Sequence, residues 1–160
     1  MSAVTAPPGA LRAGLDVARG EWVGFLEAGD TLAPHALAEV VLAAGPSVDV
    51  LYSDEDRLDG AGRRTEPSFK PDWSPDLLRS GNYIRHFLVA RRTVLETVGG
   101  VREGFEGAED YDLILRLSEA TRGLGHVPKV LYHSRSDTLP TDGGCAPCAS
   151  TWPAPARPPR

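Results

Sequence analysis

Asp110 lies three and four residues before Leu113 and Ile114 and seven before Leu117, a spacing that on a helix puts its carboxylate on the apolar face. Asp112, Arg116 and Glu119 fall on the opposite face at i+4 and i+3 intervals, where solvent-side ion pairing accounts for them. Asp110 needs another role. An acid in a first helical turn gains from the unsatisfied N–H groups there. Turned toward a cleft, the same carboxylate can take the proton of an attacking hydroxyl as a general base. The residues alone leave both readings open.

Other acids follow apolar runs. Glu27 and Asp30 come after Trp22 to Leu26, Asp54, Glu55 and Asp56 after Val48 to Tyr52, and His133 after Val127 to Tyr132. In open α/β sheets ligands bind beyond the carboxyl ends of the strands, so these groups are expected to meet at one rim. Such a set suits Mg²⁺ or Mn²⁺, which also holds phosphates that an acidic rim alone would repel. Solvated loop carboxylates are the competing explanation for any single one. A calcium loop starting at Asp54 fails on spacing: Asp59 comes one residue late, and Thr65 stands where a bidentate Glu is required.

The elements that must position these groups alternate. A short helix is expected over residues 11 to 19 and a strand over Trp22 to Leu26. A helix capped by Thr31, with Pro34 in its first turn, buries Leu37, Val40, Val41 and Ala44. Val48 to Tyr52 forms the next strand, so that strand, helix and strand make a parallel pair with a crossover. Asp56 to Ser74 reads as a long polar loop. A short helix around Pro75 to Arg79, a strand from Tyr83 to Ala90 and a helix from Thr93 to Val98 closed by Gly99-Gly100 follow. A longer helix over Glu109 to Thr121 and a strand over Val127 to Tyr132 complete an α/β domain spanning residues 11–135. Residues 1–10 read as a loose N-terminus, and residues 136–160, rich in Pro, Ala and Gly, as a disordered tail.

Composition narrows the class. With 160 residues, 41% hydrophobic and 24% charged, the chain fits one globular domain, and a net charge of -5 argues against nucleic acid as a partner. No apolar run is long enough to be a transmembrane segment, which leads to an expected cytoplasmic location. Cys145 and Cys148 form a lone C-x-x-C, read as two free thiols rather than a zinc or redox site.

Taken together, the blocks Gly20-Glu21-Trp22-Val23-Gly24-Phe25-Leu26, Asp30-Thr31-Leu32, Tyr52-Ser53-Asp54-Glu55-Asp56 and Phe69-Lys70-Pro71-Asp72-Trp73-Ser74-Pro75-Asp76-Leu77-Leu78 resemble, in order, segments of the family 2 glycosyltransferases. So do Asn82-Tyr83-Ile84, Val98-Gly99-Gly100, Gly104-Phe105-Glu106-Gly107, Glu109-Asp110-Tyr111-Asp112-Leu113 and Val130-Leu131-Tyr132-His133. The resemblance covers about Leu11 to Arg135 and implies the C-terminal, acceptor-side half of a glycosyltransferase A-type (Rossmann-like) fold, a mixed sheet flanked by helices. It implies inverting transfer from a nucleotide-diphosphate sugar to a hydroxyl of a glycan or lipid-linked acceptor, in cell-surface polysaccharide or related glycan assembly.

By the same resemblance Asp110 is the catalytic base with Glu109 beside it. Asp54 and Asp56 line the donor or acceptor pocket, Trp73 stacks on a sugar, and Glu27, Asp30 and His133 hold a divalent metal, Mn²⁺ or Mg²⁺. Two departures stand out. Members usually read Leu-Asp-x-Asp-Asp where this chain reads Leu26-Glu27-Ala28-Gly29-Asp30, so a glycine replaces the second acid of the D-x-D motif. The family's opening, nucleotide-binding elements have no counterpart before Leu11, as in a truncated chain. A non-catalytic remnant, serving as a carbohydrate-binding or interaction module, is the alternative, with another metal-dependent phosphate-handling enzyme a third reading.

Overall fold

The computed structural model describes residues 2–4, 10–102, 104–105 and 107–135. Cys145, Cys148 and the tail expected to be disordered lie outside the described residues. In chain order the elements are β1 (Ser2–Val4), α1 (Ala10–Val17), β2 (Trp22–Phe25), β3 (Thr31–Leu32), α2 (Ala36–Ala43), β4 (Val50–Leu58) and β5 (Arg64–Ser68). They continue with α3 (Pro75–Ser80), β6 (Leu88–Arg91), α4 (Arg92–Thr97), α5 (Glu109–Ala120) and β7 (Leu124–Ser134). The strands form one mixed sheet in the order β1-β2-β6-β4-β7-β3, with β5 paired to β4.

Alternation within the central strands explains their apolar sequences. Val50 and Tyr52 of β4 and Leu88 and Ala90 of β6 enter a core with Leu78 of α3, Leu95 of α4 and Leu113, Ile114 and Leu117 of α5. Leu51 and Val89 point the other way, onto Ala36 and Val40 of α2 and Val127 and Leu131 of β7. Strands covered on both faces bury every residue, hence the unbroken runs. Among the described residues no helix is long and apolar enough to cross a membrane.

The structure corrects several expectations. β2 and β4 run the same way but are not neighbours: β6 lies between them, antiparallel to both. Ser2–Val4 pairs in parallel along β2, within the segment expected to be loose. Thr31 does not cap a helix; it belongs to β3 and pairs with His133 of β7. α2 starts at Ala36, four residues later than that cap implies, and presents Ala36 and Val40 inward, leaving Val41 70% and Leu37 47% exposed. The polar loop contains a hairpin, since β5 folds back on the C-terminal half of β4. Its turn is built by Asp59, whose Oδ1 accepts the Ala61 and Arg63 N–H groups, each at 2.9 Å. The strand expected from Tyr83 begins only at Leu88, because Arg85 and Phe87 have φ of 51° and 54° and break the extended chain.

β4 organises the site. β7 pairs along its whole length on one edge, so β6, opposite Val50 to Tyr52, and β5, opposite Glu55 to Leu58, share the other. Where β6 hands over to β5, the chain enters from both sides, bringing Lys70 after β5 and His86 before β6. The β4–β7 register also shifts on either side of Asp54, and irregularities of this kind re-aim side chains beside functional sites.

Candidate functional site

Continuing the β2–β6 and β6–β4 registers places the His86 loop between the end of β2 and the middle of β4. The side chains follow. His86 Nε2 lies 3.5 Å from Glu27 Oε1 and Nδ1 lies 3.2 Å from Glu55 Oε2. Its ring stacks on Tyr132, centroids 5.0 Å apart and planes 5° from parallel. Burial lowers the imidazole's affinity for a proton, but the hydrogen bonds to Glu27 and Glu55 outweigh it and push the pKa up to about 9. The His86 hydrogen bond in turn lowers the pKa of Glu27.

Glu55 is itself held by a buried cation. Lys70 Nζ donates to Glu55 Oε2 at 2.9 Å and to the His86 carbonyl at 3.1 Å. Burial would raise the Glu55 carboxyl, yet His86 and Lys70 overcome it and bring the pKa to about 2.

Glu27 and Asp30 are the ends of one tight turn, closed by the Asp30 N–H on the Glu27 carbonyl at 3.2 Å. Gly29 takes φ 91° in that turn, the conformation that position i+2 of a type II turn demands of glycine. So the residue that costs the motif a carboxylate also shapes the turn carrying the other two. Tyr132 ties both ends: its hydroxyl donates to Asp30 Oδ2 at 2.5 Å and accepts the Glu27 N–H at 3.2 Å. Arg135 N–H donates to Asp30 Oδ1 at 2.7 Å.

One ligand atom each from Glu27, Asp30 and His86 lies within 4.8 Å of the other two. Opposite ligands of Mg²⁺ stand about 4.2 Å apart, so a small side-chain adjustment brings the three onto one cation. Two carboxylates and an imidazole fit Mn²⁺ or Mg²⁺ by donor type, the ion displacing the His86 proton as it binds.

Asp110 opens α5 beside this cluster. Asn82 Nδ2 donates to its Oδ2 at 2.8 Å. The residue is open at its surface, but protein crowded around the carboxyl raises its pKa; the backbone N–H groups of Tyr111 and Asp110 and the charge of His86 oppose the rise, and the charge of Glu27 adds to it. Asp110, His86 and Glu27 therefore share one electrostatic neighbourhood.

The remaining candidates are placed otherwise. Asp54 is buried, accepts the Lys70 N–H at 2.8 Å and meets His126 Nε2 at 2.9 Å. Asp56 is buried between Arg64 Nε at 2.6 Å and His133 Nδ1 at 2.5 Å. The structure thus brings His133 to Asp56, and His86 to Glu27 and Asp30. Trp73 is half-buried against the core that α5 helps to form. Glu109 accepts the Gly107 N–H at 2.8 Å. In α5 the solvent-side expectation is corrected: Asp112 is buried and paired with Arg102 and Arg116, while Asp110 is the open acid. His86, Lys70, Tyr132 and Asn82 were not singled out by residue chemistry. The left-handed residues flanking His86 hold it in place, and nothing in their types announces that conformation.

No family model matches the chain. The O-antigen biosynthesis protein RfbC of Myxococcus xanthus is 62% identical over 124 residues, 76% of this chain and 10% of that protein. The uncharacterised protein y4gI of Sinorhizobium fredii is 43% identical over 126 residues, 76% of this chain and 14% of its own length. The chain therefore spans a small part of these relatives. Among solved structures, S. aureus TarS 1-349 with UDP-GlcNAc matches 85% of this chain and 40% of its own at TM-score 0.66 and 16% identity. The Pyrobaculum calidifontis mannosyltransferase PcManGT, in complex with GDP-Man and Mn²⁺, matches 86% and 38% at TM-score 0.55 and 20% identity. These neighbours bear out the α/β expectation, a mixed sheet flanked by helices in the glycosyltransferase fold.

Proposed function

We propose that this chain, which carries a glycosyltransferase fold, is the acceptor-side part of a family 2 glycosyltransferase that builds a polysaccharide from a nucleotide-diphosphate sugar. The observation that carries the reading is the shared rim of Asp110, the open carboxylate at the start of α5, with Glu27, Asp30 and His86. The name of RfbC, which includes O-antigen biosynthesis, supports the polysaccharide, and the UDP-GlcNAc and GDP-Man of the structural neighbours support the donor class.

In this reading Asp110 accepts the proton of a glycan or lipid-linked acceptor hydroxyl as its oxygen attacks the anomeric carbon. Glu27, Asp30 and His86 would hold Mn²⁺ or Mg²⁺, which supplies positive charge to the departing diphosphate. Base and diphosphate on opposite sides of the carbon give inversion. Charge builds on the diphosphate only as the bond breaks, so a group set at the Glu27 side favours the transition state over the ground state. Asp54 and Asp56, tied to the Lys70 segment and to Arg64, would shape the pocket wall, Trp73 would face a sugar ring, and Glu109 would order the loop before α5.

Gly29, which offers no ligand, favours a second reading: a carbohydrate-binding or interaction module without turnover. Transfer assays with a panel of nucleotide sugars and Mn²⁺ decide between them. Turnover that drops roughly 10²- to 10⁴-fold in Asp110→Asn is expected for the enzyme. Absence of turnover in both proteins, with no thermal shift on adding nucleotide, would leave the binding module.

A further inference from the structure

Asn82 stands between the loop that carries His86 and the first turn of α5. Its Oδ1 accepts the Arg85 N–H at 3.0 Å, and its Nδ2 donates to Asp110 Oδ2 at 2.8 Å. The first bond settles the sense of the second. Only the oxygen half of an amide can accept from a peptide N–H, which leaves the NH₂ half facing the carboxylate. Arg85 has φ 51° and Phe87 φ 54°, so the donor that orients Asn82 belongs to the same irregular segment that holds His86 between Glu27 and Glu55.

We infer that Asn82 is a positioning residue for Asp110, fixing through Oδ2 the orientation in which the carboxylate meets the acceptor hydroxyl. The inference rests on the reading of Asp110 as base and deepens it. Two physical consequences follow. A side chain at an open helix start otherwise samples several rotamers, and an amide anchored at its far end selects one of them. A hydrogen bond to the ionised carboxylate also favours that form. It therefore opposes the crowding and the Glu27 charge that raise the Asp110 pKa, and acts in the same sense as the backbone N–H groups of Tyr111 and Asp110 and the His86 charge. Glu109, adjacent on α5, turns its carboxylate back to the Gly107 N–H, and Arg85 is exposed beside the loop.

The arrangement links the two sides of the proposed reaction. Residues 82–87 carry both the amide that holds the base and the imidazole that meets Glu27, so a displacement of this segment disturbs proton acceptance and the diphosphate side together.

The test is a ¹³C carboxyl titration of Asp110 in the full chain, wild type against Asn82→Ala, with transfer assays run in parallel. In Asn82→Ala the Asp110 midpoint is expected to rise by about one pH unit, the order of a hydrogen bond to a charged group. The acid limb of kcat should move up with it. At its plateau kcat should fall roughly tenfold or more with the donor KM unchanged, the signature of lost positioning. Asn82→Gln keeps the amide but moves it by a methylene, and serves if alanine destabilises the loop; it too should raise the midpoint. An Asp110 midpoint unmoved in the folded variant overturns the inference. The base reading fails separately: Asp110→Asn turning over like wild type sinks it, whereas an inactive Asp110→Asn beside an unaltered Asn82→Ala sinks only the role given to Asn82.

Discussion

Replacing Glu55 with Gln should destabilise the protein by about 3 kcal/mol at neutral pH. Three donors converge on Glu55 Oε2: Lys70 Nζ at 2.9 Å, the His86 N–H at 3.3 Å and His86 Nδ1 at 3.2 Å. The Lys70 and Glu55 side chains are 2% and 8% exposed, so water cannot replace what is lost. Removing the anion leaves a buried ammonium and a charged imidazole facing each other, a change that typically costs about 3–5 kcal/mol. Linkage gives a consistent figure. The Glu55 pKa falls from 4.5 to about 2 on folding, and at 1.36 kcal/mol per unit this is worth about 3 kcal/mol.

The partners share this benefit unequally. Burial outweighs the attraction of Glu55 at Lys70, whose pKa is lowered, so within the Lys70–Glu55 pair the stabilisation lives on the carboxylate side. Because the folded-state pKa is depressed, the contribution is complete above pH 4.5 and is lost as pH falls toward 2. Urea unfolding of wild type and Glu55→Gln between pH 2 and 7 measures it. The gap should be near 3 kcal/mol at pH 7 and shrink steadily below about pH 4.5. A gap under about 1 kcal/mol at pH 7, or one that does not change with pH, would refute the reasoning.

Tyr132→Phe frees both Asp30 Oδ2 and the Glu27 N–H, and should weaken Mn²⁺ binding about 10- to 100-fold in calorimetry with little change in secondary structure. Gly29→Ala should lower stability by about 1 kcal/mol in chemical denaturation even though its Cβ meets nothing within 4 Å, because φ is 91° there. The acid limb of transfer activity should lie above the ordinary aspartate range, since crowding raises the Asp110 pKa and the base must be ionised to work. An acid limb at the ordinary value would argue against Asp110 as the titrating group.

Strand ends and helix faces were legible where one element carried its own signal. Val48 to Tyr52 announced β4 because both faces are covered, and Glu109 announced α5 by its acids and the stripe behind them. β5 was not, because a strand exposed on nearly every residue has no apolar alternation to display. α2 misled, since it is apolar on both faces and only packing decides that Ala36 and Val40 go inward. Asp112 misled for the converse reason: its carboxylate is buried only because Arg102 arrives from another segment to meet it, and no i+4 rule sees that partner.

The same distinction explains why Glu27, Asp30 and Asp110 could be named in advance and His86 could not. The first three mark positions that one strand, turn or helix supplies by itself. His86 acquires its place from four elements at once, being set by β6, confined by Glu27 after β2 and Glu55 within β4, and stacked on Tyr132 of β7. Its effect is on charge. Glu27, Asp30, Glu55 and Asp110 bring four carboxylates to the rim, against which His86 and Lys70 set two cations. A divalent ion held through His86 would displace that residue's proton, so the rim keeps a surplus of negative charge, and it makes a diphosphate without such an ion a poor guest.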